Sequence, residues 1–88
     1  MSDARPWLLV ADDDETFAGV LGRALGRRGF DVRIAHDVAQ AMALAEGIPP
    51  SHAVVDLRMP GASGLKLVEF LRGRSADTRI VVLTGYAS

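Results

Sequence analysis

The sequence predicts an α/β domain built on a doubly wound parallel sheet, and two observations carry that prediction. Short apolar runs alternate with segments of helical periodicity, in the order β-α-β-α-β-α-β. The first run, Trp7, Leu8, Leu9, Val10 and Ala11, is apolar without interruption, as in a central strand covered on both faces. Alternation of this kind implies parallel strands joined by right-handed crossovers, with helices on both sides of the sheet.

The elements follow in order. After the first strand, Asp13 or Asp14 is placed to cap a helix. Phe17, Val20, Leu21, Ala24 and Leu25 recur in that helix at helical spacing and predict its buried stripe. Gly29 is placed to end it. Gly19, Gly22 and Gly26 each weaken it by up to about 1 kcal/mol relative to alanine, so packing must hold it. Val32 and Ile34 alternate with polar neighbours and read as an edge strand. Asp37 with Gln40 makes a capping-box pattern for a second helix carrying Val38, Ala41, Met42 and Ala45. That helix stops near Gly47, and Pro49 and Pro50 forbid its continuation. Ala53, Val54 and Val55 form a third strand ending at Asp56. Ser63 is placed to cap a third helix bearing Leu65, Leu67, Val68, Phe70 and Leu71, closed by Gly73. Ile80, Val81, Val82 and Leu83 form a fourth strand ending at Thr84.

Composition bounds the function. Residues 1–88 are one domain by length, and a domain of this size buries only roughly 60–65% of its unfolded surface. A net charge of -1 offers no basic face for a nucleic-acid backbone. The absence of cysteine excludes disulfides and thiolate metal sites. No apolar run approaches the ~20 residues of a membrane span, and the first residues lack the apolar core of a secretion signal. A cytoplasmic location is expected. The segment after the first strand has no Gly-x-Gly-x-x-Gly or Walker-type loop, which disfavours a nucleotide-binding domain.

The chemistry sits at strand ends. In an open α/β sheet, ligands bind beyond the carboxyl ends of the strands, where strand order reverses. Asp12 and Asp13 end the first strand, Asp56 the third and Thr84 the fourth. If the first and third strands are neighbours, three carboxylates meet, and two like charges ~5 Å apart repel by roughly 3 kcal/mol at an effective dielectric near 20. A divalent cation relieves this, and an all-oxygen set with few protein ligands favours Mg²⁺. A carboxylate facing Mg²⁺ can act as nucleophile toward a phosphoryl group. Asp12 and Asp13 also admit a plainer reading as helix N-terminal caps, as do Asp14 and Glu15. Asp56, ending a buried strand, requires a partner.

These residues and their surroundings resemble the receiver domains of two-component response regulators. The resemblance is carried by Leu9-Val10-Ala11-Asp12-Asp13-Asp14, by Val54-Val55-Asp56-Leu57-Arg58-Met59-Pro60-Gly61, by Gly64-Leu65 and by Ile80-Val81-Val82-Leu83-Thr84-Gly85-Tyr86. Within the family, the wording around Asp12, Asp56 and Thr84 is similar to the redox-responsive RegA/PrrA/ActR regulators. The resemblance implies a flavodoxin-like (CheY-like) fold with strand order 2-1-3-4-5, and a phosphoacceptor rather than an enzyme. Asp56 would take the phosphoryl group from a histidine kinase. Asp12, Asp13, Asp56 and the backbone carbonyl of Arg58 would hold Mg²⁺, and Thr84 would bind the phosphoryl group and report it. The side chains of Arg58 and Tyr86 would flank the pocket.

Against the family pattern, residues 1–88 stop short of a fifth strand, two helices and the lysine ending that strand. Lys66, the only lysine, lies in the third helix and cannot replace it. The expectation is impaired phosphotransfer, with self-association through the apolar edge of the fourth strand or by exchange of elements. Two alternatives remain at this point. One is a pseudo-receiver acting as a protein-interaction module. The other is a haloacid-dehalogenase-like phosphohydrolase, with Asp12 as nucleophile and Asp14 as acid/base. Trp7, which begins the first strand, is a candidate fluorescent reporter of ligand binding. His36 and His52 read as solvated.

Overall fold

A computed structural model describes residues 5–59 and 62–83. The described elements are β1 (Trp7–Ala11), α1 (Glu15–Arg27), β2 (Asp31–Ala35), α2 (Val38–Leu44), β3 (His52–Asp56), α3 (Gly64–Arg74) and β4 (Arg79–Leu83). All strand pairs are parallel, in the order β2-β1-β3-β4. The predicted order therefore holds for the four described strands. β1 is central and buried throughout, as its uninterrupted apolar run requires, and β2 is an edge strand.

Alternating side chains of β1 serve two cores, because successive residues of a strand point to opposite faces. Trp7, Leu9 and Ala11 pack with Val55, Ala41, Leu67 and Leu71 on the side of α2 and α3. Leu8 and Val10 pack with Ala18 of α1, and Leu21, Leu25, Val32 and Ile34 close around them.

The helix ends follow the sequence signals. Asp14 caps α1, its carboxylate accepting from the Phe17 amide, and Ser63 caps α3 through the Leu65 amide. Asp37 caps α2 by accepting from the Gln40 amide at 2.7 Å. The return arm of this box reaches one residue further back than expected, since Gln40 Oε1 accepts from the His36 amide. Gly29 ends α1 with φ at +101°, a left-handed conformation that side chains disfavour. α3 runs one residue past Gly73, to Arg74.

The buried stripe of α1 differs from the predicted one. Ala18 and Gly22 face the sheet and Leu21 and Leu25 flank them, while Phe17, Val20 and Ala24 are exposed. The reason is the closeness of approach. A Cβ at Gly22 would stand 3.1 Å from Ile34 Cδ1 and 3.5 Å from Val32 Cγ1, so the helix meets β2 at its smallest side chain. The apolar arc of α1 is wider than the strip of sheet it covers. Leu65 of α3 is exposed for the same reason, Leu67 and Leu71 taking the inward positions.

Candidate metal centre

Register brings the acids together. Ala11 pairs with Ala35 on one side and with Val55 on the other. The next residues, Asp12 and Asp56, therefore leave adjacent strands at one level, at the point where chain order reverses between β1 and β3. One carboxylate oxygen from each of Asp12, Asp13 and Asp56 lies within 4.8 Å of the other two. Asp12 and Asp56 are buried, 5% and 8% exposed, and Asp13 is open to solvent.

The backbone at each strand end holds its carboxylate. Asp12 Oδ1 accepts from the Asp14 amide at 2.9 Å, and Asp56 Oδ1 accepts from the Arg58 amide at 2.9 Å. Beyond β3, the Leu57 amide donates to the Leu83 carbonyl, and the Gly64 amide donates to the Leu57 carbonyl. The end of β3 is thus tied to both β4 and the start of α3. Burial holds the Asp12 carboxyl above its ordinary value of 3.8. The Asp14 amide opposes that shift, and the negative charges of Asp56, Asp13 and Asp14 add to it.

The donor set suits a hard divalent cation. All three side chains offer carboxylate oxygens, two of them withdrawn from water and mutually repelling. Opposite ligands across Mg²⁺ or Ca²⁺ stand about 4–5 Å apart, close to the 4.8 Å spread here. A bound cation would supply charge neutralisation and would orient incoming oxygens.

Of the residues singled out in the sequence, Asp12, Asp13 and Asp56 come together. The Arg58 amide faces Asp56, its residue being exposed. Thr84, Tyr86, Pro60 and Gly61 lie outside the described residues. Lys66 is exposed in the first turn of α3. Asp14 caps α1 through Oδ1, which accepts from the Phe17 amide, and it is not one of the three clustered carboxylates. Trp7 stands at the far end of β1, five residues or about 16 Å from Asp12. Its indole N–H donates to the Ile48 carbonyl, so it is remote from the acids as a reporter.

The histidines are also placed differently from the solvated reading. His52 stacks edge-on against Phe30 at 5.0 Å and meets Ser51 Oγ at 2.7 Å. The His36 ring meets the Asp12 carbonyl at 3.1 Å through Nδ1. A contact from a ring to a main-chain oxygen leaves no residue-type pattern, so no sequence signal marks His36.

Parallel topology, an acidic cluster at the switch point and a carboxylate ending an inner strand define an α/β domain with three carboxylates gathered at the carboxyl ends of its strands. Comparison with known proteins names the family. The model of the response regulator receiver domain family matches residues 8–88, and the chain belongs to that family. It is 52% identical to the acid tolerance regulatory protein ActR of Rhizobium meliloti (strain 1021) over 81 residues, which are 92% of this chain and 42% of that protein. It is 51% identical over 81 residues to the photosynthetic apparatus regulatory protein RegA of Cereibacter sphaeroides, covering 92% of this chain and 44% of the relative. Among solved structures it is similar to a response regulator from Burkholderia pseudomallei, determined with a phosphorylated aspartic acid, a calcium ion and citrate. That match has a TM-score of 0.86 and 47% identity, and covers 94% of this chain and 49% of the other. The chain thus spans about half the length of the relatives it matches. Among the described residues, no helix is long and apolar enough to cross a membrane.

Proposed function

We propose that the chain is a single receiver domain over residues 1–88 that accepts a phosphoryl group on Asp56 from a histidine kinase, in a cytoplasmic setting. Mg²⁺ is held by Asp12, Asp13, Asp56 and the Arg58 backbone carbonyl, and Thr84 contacts the phosphoryl group. The observation that carries this reading is the convergence of three carboxylates, two of them buried, from the ends of β1 and β3. The Burkholderia structure, with its phosphorylated aspartic acid and calcium ion, supports it.

The chemistry falls to Asp56. An Asp56 carboxylate oxygen attacks the phosphorus of a phosphohistidine. A P–O bond forms as the P–N bond breaks, and the electron pair stays on the departing imidazole nitrogen, which takes up a proton from water. The Arg58 amide holds the other arm of the nucleophile in place. Asp12 and Asp13 have no leaving group to protonate, and their role is to hold charge.

The test is labelling of the 88-residue chain with a small phosphodonor and Mg²⁺, read by intact mass. Any phosphoryl group that wild type gains is expected on Asp56, so Asp56→Asn is expected to gain none. Labelling retained in Asp56→Asn but lost in Asp12→Asn would favour the phosphohydrolase. A chain that takes no label, and that beryllofluoride with Mg²⁺ leaves unchanged, would be the interaction module.

Self-association is the finer partner reading. Among the described residues the outer edge of β4 pairs with no strand, and Val81 and Val82 are 56% and 40% exposed there. An open apolar edge of this kind templates pairing with another strand. The isolated 88-residue chain is expected to scatter light as a dimer or larger species at high micromolar concentration, and a monomer there would overturn this reading.

A further inference from the structure

We infer that His36 is a positioning residue for the cation site, acting through the backbone carbonyl of Asp12. The inference rests on the reading of Asp12, Asp13 and Asp56 as cation ligands.

The parallel ladder between β1 and β2 leads to His36. The Asp31 amide donates to the Pro6 carbonyl at one end of the pairing, and the Asp12 amide donates to the Ala35 carbonyl at the other. In a parallel ladder each residue bonds to two partners that flank its opposite number. The regular donor to the Asp12 carbonyl would therefore be the Asp37 amide, on the far side of His36 from Ala35. Asp37 is unsuited to that place because it leaves the strand to cap α2, its carboxylate accepting from Gln40.

The His36 ring stands in for the missing amide. Nδ1 lies 3.1 Å from the Asp12 carbonyl oxygen. A carbonyl only accepts, so Nδ1 carries the hydrogen and donates. The His36 backbone is itself fixed by the bond from its amide to Gln40 Oε1. The last rung of the ladder is thus closed by a side chain whose position is set by the first turn of α2.

The consequence reaches the acids because a peptide unit is planar. The Asp12 carbonyl belongs to the unit that joins Asp12 to Asp13. Holding its oxygen against β2 fixes how Asp13 leaves the strand end, while the Ala35 and Asp14 bonds fix Asp12 itself. Without a donor at position 36, a carbonyl on a residue 5% exposed loses its partner and turns to find another. The unit then rotates, and the two carboxylates lose their common orientation.

The experiment is Mg²⁺ titration of the 88-residue chain by calorimetry at fixed pH, with ¹⁵N–¹H spectra of the metal-free forms. His36→Leu is expected to weaken binding roughly tenfold, the lower end of what removing a ligand's hydrogen-bond partner costs. It should also shift the Asp13 amide nitrogen resonance, which senses a bond to the preceding carbonyl. His36→Asn places an amide nitrogen where Nδ1 stood, and should restore both affinity and resonance to near wild type. Wild-type affinity in His36→Leu, or His36→Asn as weak as His36→Leu, would overturn the inference. If Asp12→Asn still abolishes binding in that case, the cation site itself stands. Failure of wild type to bind Mg²⁺ would overturn both readings.

Discussion

Asp12→Asn is expected to weaken Mg²⁺ binding about tenfold or more and, in the same protein, to raise the stability of the metal-free domain. The opposite signs come from one cause. Asp12 is 5% exposed and shares a site with Asp13 and Asp56. Charges ~5 Å apart repel by roughly 3 kcal/mol at an effective dielectric near 20. Salt and the exposure of Asp13 reduce this, leaving a gain of about 1 kcal/mol on neutralising Asp12. Asparagine keeps an oxygen that can accept from the Asp14 amide, so the turn into α1 survives. What is lost is a charged ligand. Urea unfolding in chelator should show a higher midpoint for the variant than for wild type. Added Mg²⁺ should raise the wild-type midpoint, because a ligand at a hundred times its Kd stabilises by about 2.7 kcal/mol, and should move the variant little. A less stable metal-free variant would show that the cluster is not under repulsion.

The same shift fixes the pH dependence. The folded carboxyl of Asp12 binds its proton more tightly than the unfolded one, because burial raises its value above 3.8. The contribution of Asp12 to stability is therefore unfavourable above the raised value, and it is relieved as pH falls from there toward 3.8. Cation affinity falls over the same window, since the ligand must be ionised.

The sequence made most of this site legible, and the reasons are physical. The central place of β1 and the parallel direction of the strands were recoverable because an uninterrupted apolar run has to be covered on both faces and alternation with helices implies parallel pairing. The order of the strands, by contrast, came only with the family resemblance. Asp12 and Asp56 were recoverable because a carboxylate that ends such a run needs a partner. Caps at Asp14, Asp37 and Ser63 were recoverable because they answer to local backbone amides. The phase of α1 was not, since Phe17 and Leu21 are equally apolar and only the gap at Gly22 decides which faces β2. His36 was hidden because its partner is a main-chain oxygen 24 residues away, and any residue at position 12 would supply one. Gly64 was visible only as part of a family pattern, and its physical role lies in how near two backbones come.

That role gives the largest expected loss of stability. A Cβ at Gly64 would stand 2.8 Å from Leu57 Cα and 3.1 Å from the Asp56 carbonyl carbon, with the Asp56 carbonyl oxygen nearer still. All three atoms are backbone, so no rotamer change makes room. The start of α3 has to move away from the end of β3, and the bond from the Gly64 amide to the Leu57 carbonyl has to lengthen. Overpacking of this kind costs about 1–3 kcal/mol, and the backbone identity of the obstacles puts Gly64→Ala near the upper end. For a domain of this size each kcal/mol moves the Tm by about 4–8 °C. Gly26→Ala is the matched control: its added carbon meets nothing within 4 Å, and alanine is the better helix former by up to about 1 kcal/mol, so its Tm should hold or rise. Thermal unfolding of both variants separates tight approach from a general intolerance of alanine. Because the displaced atoms include the main chain of Asp56, Gly64→Ala should also weaken Mg²⁺ binding at temperatures where it remains folded. A Gly64→Ala protein as stable as wild type would mean that α3 does not need to touch the end of β3 to hold Asp56 at the site.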